Sequence, residues 1–314
     1  MDGVKEYAGR VKSPLMQRPV VALLKKVSRT FFLSMNYLPR EMRGAVCVAY
    51  LLARATDTVA DARGVPEERR GALLTVMNEA VGGRLGSEEL RGLAAELKEM
   101  RGVEHAGERE LLACFDVCLA ALNSLPDGVR SLARRVLGEI IEGQRWDIMW
   151  FRDHSHVADA EQTRLYCYRV AGCVGEFWTR LGLLELGDRF SGSASDELLR
   201  LGIRYGQGLQ MVNIMRDLAE DAERGRCYLP EGARAETWLR MARQCVNEGL
   251  DYASKLRGWR VRFASGLPAR LALKTLDAMN AAKHAGNRKV KISRGSVYCS
   301  CFSCLFAAVF GSRR

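Results

Sequence analysis

Proline is missing from most of this chain: of its seven prolines, none lies between Pro66 and Pro126 or between Pro126 and Pro230. Stretches that long without the strongest helix breaker, filled mainly with Ala, Leu, Arg and Glu and poor in Ile and Thr, favour helix over sheet. Apolar residues recur at helical spacing over 41–62, 67–82, 87–101, 108–124, 128–151, 158–184, 195–223, 235–258 and 267–285. Turn-forming residues fall between the blocks, at Pro39, Gly64 to Pro66, Gly82 to Ser87, Pro126 to Gly128, Gly187 to Ser195, Gly225 to Gly232 and Gly266 to Pro268. The pattern predicts an all-α fold. With no repeat, low-complexity tract or linker, it also predicts one helical domain over 1–314, with a core of about 20–290 and a tail of 291–314.

The net charge of +11 suits a polyanionic partner. Arginine is spread along the whole chain, with no basic tail and no aromatic-basic alternation, so nucleic acid is not the expected partner; phosphorylated substrates or an anionic membrane surface fit better. The ten cysteines do not form a disulfide framework, and most sit in apolar helical patterns as small hydrophobes, which points to a reducing cytoplasm. Cys299, Cys301 and Cys304 lack a partner cluster for zinc and are expected as packed or exposed thiols. His105, His154, His156 and His284 have no ligand spacing. Residues Val297 to Phe310 are too short to span a bilayer and suit a peripheral membrane contact or a terminal helix packed on the core. The pattern assigns no oligomeric state.

The chemistry lies in two acidic helix segments. In Tyr50-Leu-Leu-Ala-Arg54-Ala-Thr-Asp57-Thr-Val-Ala-Asp61, the two aspartates are one helical turn apart and Arg54 stands three residues before the first. Such carboxylates repel unless a cation lies between them, and oxygen donors of this kind suit Mg²⁺. A solvated or arginine-neutralised pair is the competing reading for one such segment alone. The second segment, Gln210-Met-Val-Asn213-Ile-Met-Arg216-Asp217-Leu-Ala-Glu220-Asp221, puts residues 210, 213, 217 and 221 in one polar stripe on an otherwise apolar helix. Buried carboxylates need partners, and two acidic helix faces across a cavity would hold a diphosphate through several metal ions. Arg29, Arg54, Arg216 and Arg226 flank these segments and suit forked contacts to phosphate.

These residues resemble the squalene and phytoene synthases, which join two prenyl diphosphates head to head. The resemblance covers Ser28-Arg29-Thr-Phe31, Glu41-Met-Arg-Gly-Ala-Val-Cys with Tyr50 to Asp61, Tyr166-Cys-Tyr-Arg-Val-Ala171-Gly172-Cys-Val-Gly175, and Gln210 to Asp221 followed by Arg224-Gly-Arg226-Cys-Tyr-Leu-Pro230. It implies a single bundle of helices around a central channel. It implies two or three Mg²⁺ ions on Asp57, Asp61, Asp217 and Asp221, with Asn213 in the metal group, and substrate contacts from Arg29, Tyr50, Arg54, Gln210, Arg216 and Arg226. Tyr166 matches the tyrosine given a proton-handling or cation-stabilising role, and Val170, Ala171 and Val174 would wall the prenyl chain. The implied reaction condenses two farnesyl diphosphates through a cyclopropyl diphosphate.

The product is signalled from both sides. Asp57-Thr58-Val-Ala-Asp61 and Val290-Lys291-Ile292-Ser-Arg294-Gly295 look closer to squalene synthases, which add hydride from NADPH. Arg226-Cys-Tyr-Leu-Pro230 and Glu142-Gly-Gln-Arg-Trp-Asp147 look closer to phytoene-type members, so phytoene, dehydrosqualene or hydroxysqualene is the alternative to squalene. A chain-elongating prenyltransferase would normally carry adjacent aspartates, which Asp57-Thr58 does not match. A non-catalytic helical relative is opposed by the intact aspartate pairs and arginines.

Overall fold

The computed structural model describes residues 18–28 and 31–285 together with Cys304, Leu305 and Ala308, and among them it forms thirteen α-helices and one small pair of strands. In chain order the helices are α1 (Arg18–Val27), α2 (Phe31–Tyr37), α3 (Arg40–Ala60), α4 (Glu67–Gly82), α5 (Ser87–Lys98), α6 (Ala106–Ala113), α7 (Phe115–Asn123) and α8 (Asp127–Asp153). They continue with α9 (Ala160–Cys167), α10 (Cys173–Leu186), α11 (Ser195–Glu223), α12 (Ala235–Lys255) and α13 (Trp259–Ala285). A π-helical turn, Tyr168–Gly172, joins α9 to α10. The all-α expectation holds.

Periodicity placed most elements within a few residues, because each long helix carries a continuous apolar stripe into one core that runs from Leu23 to Leu276. The 108–124 block is broken at Cys114, whose backbone (φ −110, ψ 19) leaves the helix and separates α6 from α7. The short helices α1 and α2 were not read as blocks. The parallel strands β1 (His156–Val157) and β2 (Cys227–Pro230) were not anticipated either; they pair His156 with Cys227 and Val157 with Pro230.

The expected break at Gly266 to Pro268 is wrong, since Pro268 lies inside α13. Proline removes one helical N–H and crowds the preceding turn. Here the Tyr205 hydroxyl donates to the Ser265 carbonyl at 2.8 Å, so a side chain of α11 supplies a hydrogen bond in the turn before the proline. The tail returns to this helix: Cys304 and Ala308 pack on Phe263 and Leu267. Cys304 is therefore a packed thiol, whereas Cys299, Cys301 and most of 297–310 lie outside the described residues. No helix among the described residues is long and apolar enough to cross a membrane.

Two packing relations position the site. α8 packs on α3, α4 and α10, while α11 packs on α10, α12 and the π-helical turn. α3 and α11 share no extensive contact with each other. The acidic segments thus stand on helices held apart by α8 and α10.

Candidate active site

Both aspartate pairs sit where a helix least favours them. Asp57 is in the last turn of α3 and Asp61 caps its C-terminus, its N–H bonded to the Asp57 carbonyl at 2.9 Å. Asp217 and Asp221 lie in the last two turns of α11. Neither helix has a basic residue in its last turn. The C-terminal end of a helix carries partial negative charge, so four carboxylates at two such ends destabilise the protein unless cations meet them. Burial, then Asp61, pushes the Asp57 carboxyl up to about 7; burial, then Asp217, pushes Asp221 up to about 6. The Asp57 side chain keeps 41% of its surface accessible despite this desolvation, which describes a group in a recess walled by protein and open to water.

Arginines pair with acids of this region. Arg54 donates to Asp57 at 2.6 Å and to Glu108 of α6 at 2.5 Å. Arg216 grips Asp217 through Nε at 2.8 Å and Nη2 at 2.5 Å. Arg226, just before β2, donates to Asp147 of α8 at 2.5 Å, and the Tyr228 hydroxyl donates to the other Asp147 oxygen at 2.6 Å. Asp147 is buried and lies within electrostatic reach of both Asp61 and Asp221. Its charge therefore adds to the crowding at Asp221, and Asp61 adds to the crowding at Asp147. Burial raises its pKa; Arg226 and Tyr228 oppose that shift.

Among the other predicted residues, Asn213 donates to Gln210 at 3.3 Å along the α11 stripe, and Tyr50 donates to the Val27 carbonyl at 3.1 Å. Arg29 lies outside the described residues. Tyr166 lies in the last turn of α9 and stacks on Tyr228, with ring centroids 4.7 Å apart and planes 18° apart, while Trp146 leans on Tyr166 with centroids 5.6 Å apart and planes tilted by 43°. Burial, then the nearby Asp147, lifts its phenol well above the usual range. Val170 and Ala171 stand on the π-helical turn and Val174 opens α10; all three are half-buried. A π-turn widens the backbone locally and is often found at functional sites. The turn is pressed against α11: a Cβ at Gly206 would stand 2.2 Å from the Ala171 carbonyl oxygen.

Sequence reasoning missed Asp147, Tyr228, Glu108 and Arg70. Arg70, 9% exposed, donates to the Ala60 carbonyl and so fixes where α3 ends and Asp61 begins. The signal for Asp147 was present: it continues the stripe Val136, Ile140, Gly143 on α8, and a carboxylate on an apolar stripe must have a partner.

The residues fit Mg²⁺ with diphosphate. The Nε of Arg54 is buried without a hydrogen-bond partner, an orphan donor beside Asp57 that an anion would satisfy. Among the described residues no three His, Cys, Asp or Glu side chains converge on one point, so each ion would take a carboxylate pair at most and complete its shell with water and phosphate oxygens. A pH effect follows. A carboxyl whose folded pKa is raised keeps its proton where the unfolded chain has lost it, so that contribution to stability is fully present below the ordinary carboxyl value of 3.8, falls as pH rises above it, and is gone once pH has passed through about 6 to 7. In metal-free buffer, Asp57→Asn is expected to melt above the unmodified chain at pH 8, with the difference closing towards pH 5; a constant difference across that range would contradict the crowding.

Comparison with known proteins identifies the family. The squalene/phytoene synthase family profile matches residues 24–236, more than half of the chain. Human squalene synthase is 27% identical over 299 residues, an alignment covering 87% of this chain and 66% of the human protein. A phytoene synthase of Mycobacterium bovis is 27% identical over 209 residues, covering 67% of this chain and 55% of that protein. The chain thus spans about two thirds or less of these relatives. A solved structure of TcSQS with a ligand superposes with a TM-score of 0.70 at 24% identity, covering 94% of this chain and 90% of that one, and shares the fold. Since the matched span holds α3, α8 and α11 with every acidic residue described above, the chain belongs to the squalene/phytoene synthase family.

Proposed function

We propose that this chain condenses two farnesyl diphosphates head to head, with Mg²⁺, through a cyclopropyl diphosphate, and reduces that intermediate to squalene with NADPH. The observation that carries the reading is the aspartate pair at the C-terminal end of α3 and the second pair at that of α11, neither end having a basic residue in its last turn, with the buried, unpartnered Nε of Arg54 beside the first. Family members are prenyltransferases, which accords with it.

Asp57, Asp61, Asp217 and Asp221, with Asn213, hold the metal ions. Bound Mg²⁺ neutralises the charge that builds on the leaving diphosphate. Arg54 and Arg216 turn from their aspartates towards phosphate oxygens, the orphan Nε of Arg54 gaining its partner. Arg226 approaches from the β2 side; Arg29, Tyr50 and Gln210 complete the diphosphate surroundings. Val170, Ala171 and Val174 wall the prenyl chain and keep water from the allylic cation. Tyr166 stands beside that cation.

Squalene is favoured over phytoene-type products by the Asp57-Thr58-Val-Ala-Asp61 form of the first motif. Phytoene, dehydrosqualene or hydroxysqualene is the second reading, favoured by Arg226-Cys-Tyr-Leu-Pro230, whose tyrosine makes the Asp147 bond. The test incubates the protein with farnesyl diphosphate and Mg²⁺, with and without NADPH, and identifies the extracted lipid by mass spectrometry. Squalene appearing only with NADPH is the expected result; dehydrosqualene or hydroxysqualene regardless of NADPH moves the assignment to the second reading.

A further inference from the structure

The π-helical turn Tyr168–Gly172 carries Val170 and Ala171, two of the three residues that wall the prenyl chain in the proposed function, and side chains outside that wall hold it in shape. The Cys173 N–H reaches back five residues to the Tyr168 carbonyl, the spacing of a π-turn. Across the same turn the Tyr168 hydroxyl donates to Glu176 Oε2 in α10 at 2.9 Å. At about 100° per residue, positions eight apart on a regular α-helix point about 80° away from each other; a turn that absorbs one extra residue makes them equivalent to positions seven apart, about 20° from alignment. The bond therefore favours the π-turn over a continuous α-helix. A second side-chain bond lies inside the turn, where the Cys173 thiol donates to the Arg169 carbonyl at 2.9 Å.

Glu176 is fixed from outside the turn. Its Oε1 accepts from Arg180 Nε at 2.8 Å and from Arg135 of α8. Only 10% of its side chain is accessible, so a charge there needs such partners. Val170 lies against the same α8: a Cβ at Gly143 would stand 3.0 Å from Val170 Cγ1. We infer that Glu176 is a positioning residue: by holding Tyr168 across the π-helical turn and tying both to α8, it fixes the backbone that presents Val170 and Ala171 to the prenyl chain. It acts through that wall and not on the diphosphate. The inference rests on the proposed function for what the wall receives, and on the hydrogen bonds alone for the clamp.

Two measurements on the full chain test it. Tyr168→Phe keeps the ring and removes the bond to Glu176; Glu176→Leu removes the acceptor and leaves Arg135 and Arg180, both partly exposed, to water. Amide hydrogen exchange at Gly172 to Val174 is expected to speed up roughly tenfold in each variant, while Val246 in the core of α12 changes by less than about twofold. Unchanged exchange at the turn in both variants overturns the inference, and so does an equal rise at Val246, which marks a general loss of stability. In turnover, KM for farnesyl diphosphate is expected to rise roughly five- to tenfold in Tyr168→Phe with kcat within about threefold, and inhibition by inorganic pyrophosphate with Mg²⁺ to stay within about twofold. Tyr168→Phe added to Glu176→Leu should cost nothing further, because the hydroxyl acts only through the carboxylate. Effects on KM that multiply, or a KM unchanged in both single variants, overturn it. Exchange requires no turnover, so a chain that fails to convert farnesyl diphosphate refutes the proposed reaction while the clamp is still decided.

Discussion

If the proposed function holds, Asp57→Asn and Asp217→Asn are each expected to lower kcat/KM for a prenyl diphosphate by about three orders of magnitude or more, equivalent to ~4 kcal/mol of transition-state stabilisation, with the far-UV circular dichroism unchanged. The expected loss is large because, in the proposed mechanism, one oxygen of a carboxylate that would hold the metal becomes an amide nitrogen that repels a cation. The fold survives because the substitution removes a charge from a helix C-terminus that was unfavourable there. Asp116→Asn, on the exposed side of α7, is the matched control and leaves turnover where it was. Full activity in either site variant would take that aspartate out of the mechanism.

Gly175→Ala is expected to destabilise by about 3 kcal/mol and to lower the melting temperature by roughly 6–10 °C. A methyl at residue 175 would stand 1.9 Å from the Gly202 carbonyl oxygen, so α10 and α11 could not stay at their present separation. Backbone cannot swing aside as a long side chain does, and the strain passes to the π-helical turn that carries Val170 and Ala171. Gly71→Ala in α4, where the new methyl meets nothing within 4 Å, should stabilise by about 0.5–1 kcal/mol, so a melting series on the two variants separates close helix approach from ordinary helix propensity. Equal shifts of the same sign would show that the contact between α10 and α11 is looser than described.

What could be read from the chain alone was what depends on neighbours in sequence. Asp57 with Asp61, and Asp217 with Asp221, are one turn apart whatever the rest of the molecule does, and long apolar stripes locate helices such as α8 and α11 without knowledge of their partners. Asp147, Tyr228 and Glu108 acquire meaning only when α8, β2 and α6 are brought beside the acidic helices, and a lone carboxylate in a helical pattern looks like surface until its burial is known. Pro268 misled for the same reason: its local cost is fixed by the residue, whereas the hydrogen bond supplied beside it, from the Tyr205 hydroxyl, comes from a different helix. The short helices α1 and α2 carry too few turns for periodicity to register. The break at Cys114 lies between two apolar stripes that continue one another in phase closely enough to look like one.

The two-stranded pair β1 and β2 joins segments that follow α8 and α11, about 70 residues apart in the chain, and contacts of such long range are closed late because loop entropy must be overcome first. The acid-bearing ends of those helices are therefore drawn together only after α9, α10 and α11 have found their places. The repulsion within each pair is present as soon as its own helix forms, whereas the repulsion between Asp147 of α8 and the α11 pair enters only with that late closure, when the core already present can absorb it.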